Sequence, residues 1–441
     1  MKSFLPSLFL LLILTSLNAQ NSVLQSGPML GYSDFREVLI WVQTKEAANV
    51  QIEYWVPKGK KQKTEIIRTS KEKEYIAKLF PINLEYGATY QYEVYLNDQK
   101  LKFDYPLEFH VQDLWQWRND PPEINFAIGS CTYISEEKDD RPGKPYGSAY
   151  QIFETIANQD PDFMIWLGDN TYLREPDFFS RRGIMHRYKH SRSLKEMQAL
   201  LASVHHYAIW DDHDYGPNNS DKSYVYKDDA FEAFELYWGN PNINVTKTGG
   251  ITGWFQWADV QFFLMDNRYH RSPNDQIGPD KGLLGDAQIE WLINALQSNR
   301  APFKFVCIGG QTIHSQPIFE NYAVYEEERN KLLARIAEEK IEGVIFLSGD
   351  RHHSEISKMD RADAYPLFDI TCSPLTSGTH KQRDEGNIHL VPGTSFYEKN
   401  YGMLNISGPR TDRLLTYKLH DNTGKEIYQY QIRARDLRYT K

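Results

Sequence analysis

The sequence predicts an α/β protein: a layered domain with central β-sheets flanked by helices, preceded by a small antiparallel β-sandwich domain. Three observations lead to this prediction. Residues 22–112 alternate polar and apolar side chains with the two-residue period of β-strands. Beyond residue 123, short apolar runs alternate with helical segments, which is typical of layered α/β domains. A proline-marked stretch, RNDPPE at 118–123, separates the two patterns.

Residues 1–19 have the features of a secretory signal peptide. Lys2 supplies a positive charge, Leu8 to Leu14 is continuously apolar, and the end at Ala19 resembles a cleavage site. The apolar stretch is too short to span a bilayer, and no cysteine follows it as a lipid-anchor site would require. We therefore expect an exported protein, periplasmic or extracellular, with no membrane span.

Charge and cysteine content exclude two classes of protein. The 441 residues carry a net charge of −9, whereas nucleic-acid binding needs a basic surface, so we expect no nucleic-acid partner. The three cysteines, Cys131, Cys307 and Cys372, are too few for a disulfide framework, and their odd number leaves at least one unpaired. The oligomeric state is not predicted.

The predicted N-terminal domain, residues 22–112, contains several strand-like segments separated by turn residues. No segment in it has a convincing helical period. The segments are REVLIWVQT, NVQIEYWVP, TEIIRTS, TYQYEVYLND and LKFDYPLEFH.

The predicted catalytic domain, residues 123–441, is built from apolar runs of strand length and helical stretches between them. The runs are INFAIGSC, DFMIWLGDN, HYAIWDDHD, VQFFLMDNR, FKFVCIGGQ, GVIFLSGDRHH and LFDITCS. The helical stretches are 147–158, 194–203, 227–238, 285–297 and 324–339. A hairpin across Asn422-Thr423-Gly424 closes the chain.

Six of the apolar runs end in polar side chains that are common in catalytic sites. They are Cys131; Asp169, Asn170 and Tyr172; Asp211, Asp212, His213 and Asp214; Asp266 and Arg268; Gln311; and Asp350, His352 and His353. Ligands of open α/β sheets bind beyond the carboxyl ends of the strands. The repeated pattern therefore predicts one shared site.

Carboxylates gathered in one site repel each other, and removing them from water is costly unless cations lie among them. The sequence therefore predicts a metal site. Aspartate and asparagine oxygens suit calcium, magnesium or a trivalent ion, and imidazole broadens the choice. A thiolate and a phenolate among the donors favour ferric iron.

Several of these residues have an ordinary structural interpretation when they are considered singly. Cys131 alone is most often a buried structural cysteine. Arg268 and Arg271 either bind an anion or pair with the surplus carboxylates. Gln311 is best interpreted as a hydrogen-bonded loop residue. The basic stretch 181–192 either lines an entrance for anionic substrates or, as we favour, is a solvated face.

Five motifs in order, FAIGSC, WLGDNTY, WDDHDYGPNN, LMDNRYHR and LSGDRHH, followed by TCSPLTSG, resemble those of the PhoD-like alkaline phosphatases. These belong to the calcineurin-like metallophosphatase superfamily. The resemblance begins near Ser26, where SGPMLGYSDFREVLIWVQT resembles the family's N-terminal β domain, and ends near residue 420. Asp214 stands where a glutamate is common, and WDDHD replaces the superfamily's Gly-Asn-His-Asp/Glu motif.

The resemblance implies a metallophosphatase-type catalytic domain that holds one ferric ion and one or two calcium ions. Cys131, Asp169 and Tyr172 match iron-binding positions, with Asp169 expected to bridge metals. The other matched metal positions are Asp211, Asn218, Asp350 and His352. Whether Asp211 or Asp212 contacts metal directly stays open. Arg268 matches the phosphate-contacting arginine of the family.

The predicted function is metal-dependent hydrolysis of small phosphoesters by metal-activated water. Arg268 would contact the phosphate, and His213 or His353 would protonate the leaving alkoxide. The substrates are monoesters, diesters or both. One alternative enzyme is a phosphodiesterase or phospholipase that acts on lipid or teichoic-type diesters. The non-enzymatic alternative is a surface protein that binds metal or glycans, which would not require an arginine beside the metals.

Overall fold

A computed structural model describes residues 23–439. The predicted signal peptide, residues 1–19, lies outside the described residues. The chain divides into two compact units. The first unit contains residues 23–114 together with 192–205, and the second contains residues 115–191 together with 206–439.

The first unit is a pair of antiparallel layers with a shared apolar core. Its strands are β1 (Leu24–Ser33), β2 (Val38–Thr44), β3 (Asn49–Trp55), β4 (Gln62–Lys63), β5 (Ile67–Arg68), β6 (Ile76–Leu79), β7 (Thr89–Leu96), β8 (Gln99–Lys100) and β9 (Glu108–His110), with a 3-10 turn at Lys71–Lys73. One layer has the order β1-β2-β6, and the other has the order β4-β3-β7-β8, with β5 beside β3 and β9 beside β7.

The alternation of buried and more exposed side chains explains why these segments form strands. Every second side chain of β7 is buried, including Tyr92 and Val94, and these pack in one core with Ile40 and Val42 of β2. Helix Gln198–Ser203 also belongs to this unit. The Tyr92 hydroxyl donates a hydrogen bond of 2.7 Å to the carbonyl of Ala202 in that helix.

The second unit contains two mixed sheets. Its strands are β10 (Ile124–Gly129), β11 (Phe163–Leu167), β12 (His205–Ile209), β13 (Gly253–Trp257), β14 (Val260–Leu264), β15 (Lys304–Cys307), β16 (Val344–Ser348), β17 (Glu355–Arg361), β18 (Ala364–Thr371), β19 (Asn400–Ser407), β20 (Leu414–Asp421) and β21 (Glu426–Arg433). One sheet contains the sequence β21-β20-β19-β10-β11-β12, and the other has the order β13-β14-β15-β16-β18-β17.

Parallel pairing accounts for the continuous apolar runs in this unit. Strand β10 pairs in parallel with β11, and β14, β15, β16 and β18 pair in parallel in turn. All five residues of β11 and of β16 are buried, as expected of strands that are covered on both faces. The predicted fold class is confirmed.

Stacked aromatic rings join the two sheets of the second unit. Phe126 of β10 and Phe163 of β11 stack at a centroid distance of 4.9 Å. From the other sheet, Phe262 lies 5.3 Å from each of them, edge to face. Phe305 also packs edge to face on Phe126, at 5.6 Å. The main core of the second unit therefore lies between its sheets.

Helices Arg181–Arg192 and Asp212–Tyr215 were not predicted, whereas the other five helices lie within predicted stretches. All seven lie in the part of the chain that the structure describes. They are Ile152–Ala157, Arg181–Arg192, Gln198–Ser203, Asp212–Tyr215, Lys227–Tyr237, Asp286–Gln297 and Glu326–Glu338, with 3-10 turns at Glu137–Asp139, Lys195–Met197, Tyr322–Tyr325 and Ala434–Leu437. The predicted C-terminal hairpin is formed by β20 and β21. None of the helices within residues 23–439 is long and apolar enough to cross a membrane.

The basic stretch 181–192 and the three cysteines include side chains that are buried in the described part of the chain. The stretch forms a helix in which Arg187 is buried and pairs with Asp177 at 2.8 Å and with Glu136 at 2.6 Å. Ile184, Met185 and Tyr188 are buried as well, so the interpretation of this stretch as a solvated face is wrong, and Arg187 contributes to packing. All three cysteines are buried and free.

We expect Phe163→Ala to lower the free energy of unfolding by about 3–5 kcal/mol, because it leaves a cavity between the sheets. Urea unfolding followed by tryptophan fluorescence measures this change. Ile277→Ala is the control, because the Ile277 side chain is 97% exposed and should change stability by no more than about 0.5 kcal/mol. Equal unfolding midpoints for the two variants would contradict the inter-sheet core.

Candidate functional site

The loops after β10 and β11 continue the pairing of their strands. The Cys131 amide donates to the Gly168 carbonyl at 3.2 Å, and the Thr132 amide donates to the Asp169 carbonyl at 2.7 Å. In the other sheet, the Gly349 amide donates to the Gly309 carbonyl at 2.8 Å. The strand ends therefore hold the side chains that follow them in fixed positions.

Four of the predicted site residues have left-handed backbone conformations. The φ angles are 59° at Cys131, 52° at Asp169, 65° at Asp350 and 54° at His352. This region is unfavourable for residues other than glycine and is concentrated at functional sites. Gly168, with φ of 94°, precedes Asp169, and a Cβ atom there would lie 2.7 Å from Cβ of Asp211. Glycine is therefore required where these two loops meet.

Side chains from three of these loops form the first donor cluster. Cys131, Asp169 and His352 are buried, and one ligand atom of each lies within 4.8 Å of the others. The Tyr172 hydroxyl donates to Oδ2 of Asp169 at 3.0 Å and lies 3.1 Å from Nε2 of His352. The Ser373 hydroxyl donates to Sγ of Cys131 at 3.2 Å. This group brings together thiol, phenol, imidazole and carboxyl donors.

A second donor cluster shares Asp169 with the first. It consists of Asp169, Asp212 and His213, whose ligand atoms again lie within 4.8 Å of one another. The His213 amide donates to Oδ1 of Asp169 at 3.2 Å. The Asp212 carboxylate accepts the Asn219 amide at 2.6 Å. Asp169 thus has one oxygen toward each cluster, which is the arrangement of a bridging ligand.

The three aspartates of the WDDHD motif have different surroundings. Asp211 is fully buried and caps the short helix Asp212–Tyr215. Its Oδ1 accepts hydrogen bonds from Asn267 at 2.7 Å and from Nε of Arg268 at 2.5 Å, while its Oδ2 has no partner among the described residues. Asp212, by contrast, forms part of a cavity wall.

Asp214 holds two strand-end loops together. Its carboxylate accepts the backbone amides of Asn170 at 3.2 Å, Thr171 at 2.9 Å and Asp211 at 2.9 Å. Since it binds backbone rather than facing the cavity, the shorter aspartate side chain at this position acts in positioning the loops.

Burial and mutual repulsion raise the pKa values of four acidic groups in the site. Burial, followed by Asp212 and Asp211, raises the pKa of Asp169 well above its usual range. Burial and neighbouring carboxylates likewise raise the pKa of Asp350 and of the Cys131 thiol. The pKa of Tyr172 is raised by burial and by Asp169. Burial thus favours the protonated forms of these groups, and a cation among them would favour the ionised forms.

These donors face a cavity of about 490 Å³. Its lining residues are Tyr133, Arg141, Tyr146, Asp169, Tyr172, Arg174, Asp212, His213, Asn218, Asn219, Phe319, Glu320, Asp350, Arg351, His352 and His380. The predicted residues Asp169, Tyr172, Asn218, Asp350, His352 and His213 are therefore brought together at one cavity. The predicted residues Cys131, Asp211, Arg268 and His353 are absent from this lining, although Cys131 joins the first donor cluster behind it.

Arg268 is held by carboxylates. It is 1% exposed, contacts Asp211, and donates from Nη2 to Glu320 at 2.9 Å. Burial lowers the pKa of its guanidinium, but the opposite effect of Asp211 and Glu320 is larger, so the pKa lies well above the usual value. This placement argues against direct phosphate contact and supports the alternative that Arg268 pairs with surplus carboxylates.

His353 lies behind the cavity. Its Nδ1 is 3.0 Å from the Arg351 carbonyl, its Nε2 is 3.2 Å from Glu355, and its ring stacks on Tyr397. Both ring nitrogens thus have protein partners, which argues against a role as a proton donor to substrate. Gln311 donates to Glu355 at 2.8 Å, as expected of a hydrogen-bonded loop residue.

Sequence reasoning missed several residues of the cavity wall. Arg351 lies between two predicted ligands in the LSGDRHH motif, and this adjacency is the one signal that could have indicated it. The others lie in loops without a chemical pattern: Tyr133, Arg141, Tyr146, Arg174, Phe319, Glu320 and His380.

Comparisons with known proteins agree with this architecture. Residues 126–403 match the family model of the PhoD-like phosphatases, and residues 21–112 match a domain of unknown function, DUF7800. The chain is similar to the solved structure of PhoD, with a TM-score of 0.71 and 15% identity over 91% of each chain.

A second similar structure is the purple acid phosphatase PPD1 isolated from yellow lupin (Lupinus luteus) seeds. Its TM-score is 0.68 at 11% identity, covering 93% of this chain and 75% of that one. No curated protein sequence matches the chain significantly. The structural similarities show a shared fold, and the family model spans more than half of the chain. The chain therefore belongs to the PhoD-like phosphatase family and is a metal-dependent phosphoesterase.

Proposed function

We propose that this protein is exported and hydrolyses small-molecule phosphoesters at the cavity that contains Asp169, with one ferric ion and calcium as its metals. The observation that carries the proposal is the pair of donor clusters that share Asp169. Export rests on the signal-like residues 1–19. Family membership supports the reaction class.

The donor chemistry fits two kinds of metal ion. Cys131, Tyr172 and His352, together with Asp169, would hold ferric iron through thiolate, phenolate and imidazole donors. The oxygen donors suit calcium: Asp169, Asp212, Asn218 and Asp350. Bound metals would act as Lewis acids that neutralise phosphate charge and promote ionisation of a water molecule.

Asp212 is proposed as a direct ligand in preference to Asp211. Asp212 lines the cavity and belongs to the second donor cluster. Asp211 is held on its Oδ1 by Arg268 and Asn267, and only its Oδ2 is without a partner among the described residues. Asp211 therefore orients the start of helix Asp212–Tyr215 and thereby the ligand that follows it.

His213 is the proposed proton donor to the leaving oxygen. Its ring lines the cavity and stacks on Tyr172 at 4.3 Å, which fixes its plane. Its Nδ1 has no hydrogen-bond partner among residues 23–439. A positioned imidazole with a free ring nitrogen can protonate the alkoxide as the ester bond breaks.

Arg268 is proposed as a positioning residue. It joins Asp211 of the WDDHD motif to Glu320, which lines the cavity. Arg271 contacts the other oxygen of Glu320 at 2.6 Å. Two arginines thereby neutralise a carboxylate that would otherwise repel a phosphate.

Phosphodiesters, including lipid head groups and teichoic-type polymers, are the alternative substrates for the same donors. The rates on p-nitrophenyl phosphate and bis-p-nitrophenyl phosphate distinguish the two classes. A higher kcat/KM on the monoester supports a phosphomonoesterase, and the reverse order supports a diesterase.

Asp169→Asn should lower kcat/KM by about a thousandfold or more, because the bridging carboxylate is lost from both clusters. Elemental analysis of the same sample should give less iron and calcium per chain, together with loss of the violet or brown colour expected of ferric phenolate. Asp360→Asn, at a side chain that is 80% exposed, is the control. A colourless wild-type protein without iron or calcium, or an Asp169→Asn variant with near-normal turnover, would refute the assignment.

His213→Gln should lower the rate of hydrolysis of aryl phosphates. The loss should grow as the leaving phenol becomes more basic and should reach about a hundredfold for the poorest leaving group. Protonation matters most when the leaving oxygen is basic, which explains the trend. The slope of log kcat against leaving-group pKa measures the effect. His353→Gln serves as the matched histidine control and should leave that slope unchanged. A parallel loss in both variants would contradict the role of His213.

Arg268→Gln should lower the free energy of unfolding by about 3–5 kcal/mol, because it leaves Asp211 and Glu320 buried without their cation. Denaturant unfolding measures the change, with the exposed Arg182→Gln as control. A residue that only contacted phosphate would raise KM without loss of stability. That second outcome would restore the phosphate-contact role of Arg268.

A further inference from the structure

Three arginines line the same cavity and take no part in the donor clusters. They are Arg141, Arg174 and Arg351. The cavity belongs to an acidic chain, and its donors are mostly carboxylates. Arg351 pairs with Glu385 and Arg174 with Glu175, but these pairs leave some of their N–H groups unused, and Glu320 of the same wall is already neutralised by Arg268 and Arg271.

Two of these guanidinium groups have buried N–H groups without a partner. Arg351 is 1% exposed, and its Nη2 donates to Glu385 at 2.7 and 2.8 Å. Its Nε and Nη1 are buried without a hydrogen-bond partner among the described residues, and so is Nε of Arg174. Donors without a partner are unfavourable in a protein interior, so these N–H groups are suited to bind an acceptor atom of a ligand.

Aromatic rings fix the orientation of these arginines. The guanidinium carbon of Arg141 lies 3.7 Å from the centroid of Tyr146, and that of Arg351 lies 4.4 Å from Phe319. Arg383 covers Phe319 as well, also at 4.4 Å. Stacking leaves the edge of a guanidinium free to bind an anion with two parallel hydrogen bonds. Arg141 has no ion-pair partner among residues 23–439.

Tyr146 and Tyr133 each contact both an arginine and a residue of the first donor group. The Tyr146 hydroxyl lies 3.0 Å from Nδ1 of His352, while Arg141 lies over the Tyr146 ring. Arg174 lies 5.9 Å from the Tyr133 centroid, and Tyr133 packs at 5.0 Å on Tyr172. Arg141 and Arg174 are therefore each separated by one tyrosine ring from a residue of the first donor group.

We propose that Arg141, Arg174 and Arg351 bind a second anionic group, so that the preferred substrates are phosphoesters whose leaving group carries a carboxylate or a further phosphate. This inference rests on the proposed function, in which the metals neutralise the reacting phosphate. Arg351 and Arg174 already pair with Glu385 and Glu175, so the positive charge available to a second anion comes from Arg141, while the other two supply hydrogen-bond donors. Substrate selection thus depends on the leaving group.

The test compares two aryl phosphates of similar leaving-group pKa, 4-carboxyphenyl phosphate and 4-carbamoylphenyl phosphate. The wild-type holoenzyme should prefer the carboxylate by about tenfold in kcat/KM, the effect expected of one charged hydrogen bond. A second pair, 1,4-phenylene bisphosphate and 4-methoxyphenyl phosphate, repeats the comparison with phosphate as the second anion. The pair with the larger preference identifies the second anion.

Arg141→Gln should reduce the carboxylate preference to about twofold or less, and Arg141→Lys should retain part of it because the charge remains. Arg141 is exposed, so its substitution should not unfold the protein, and Arg182→Gln controls for the loss of an exposed arginine. Equal kcat/KM losses on all probes would overturn the inference, because the arginine would then contact the common phosphate. An equal preference of the wild type for both members of each pair would also overturn it. Absence of turnover on every probe would instead contradict the proposed function.

Discussion

Repulsion among buried acidic groups is the constraint on which the candidate site depends. Asp169, Asp350, Cys131 and Tyr172 are brought close together, and burial raises the pKa of each. Such an unfavourable arrangement persists only if the surrounding structure holds each group in place. Three features hold these groups in place: the left-handed loop residues, the three backbone amides that donate to Asp214, and the ion pair of Arg268 with Asp211.

The division of labour within the WDDHD turn shows how the site is supported. Asp212 faces the cavity, and Asp211 caps a helix and binds Arg268. Asp214 holds two loops together by accepting hydrogen bonds from their backbone amides. A change at Asp214 would alter the position of Asp169 without touching any ligand in the cavity. Positioning of this kind is as much a part of the site as the donors themselves.

Much of the fold could be predicted, because strand and helix periods are local properties of the sequence. The meeting of Cys131, Asp169 and His352 could be expected because each follows the carboxyl end of a buried strand, although these strands belong to two different sheets. Glu320, the second partner of Arg268, could not be predicted, because it lies in a loop with no periodic or chemical signal. His353 and His352 are adjacent in sequence, but only the backbone conformation decides which of them faces the cavity.

The first unit is assembled from two stretches of chain, and this has a consequence for the order of synthesis. Residues 192–205, which include the helix that binds Tyr92, are made only after residues 115–191 of the second unit. The amino-terminal sandwich therefore cannot acquire its last native hydrogen bonds when residue 114 leaves the ribosome. The folding of the first unit is therefore completed only after residues 115–205 have been translated.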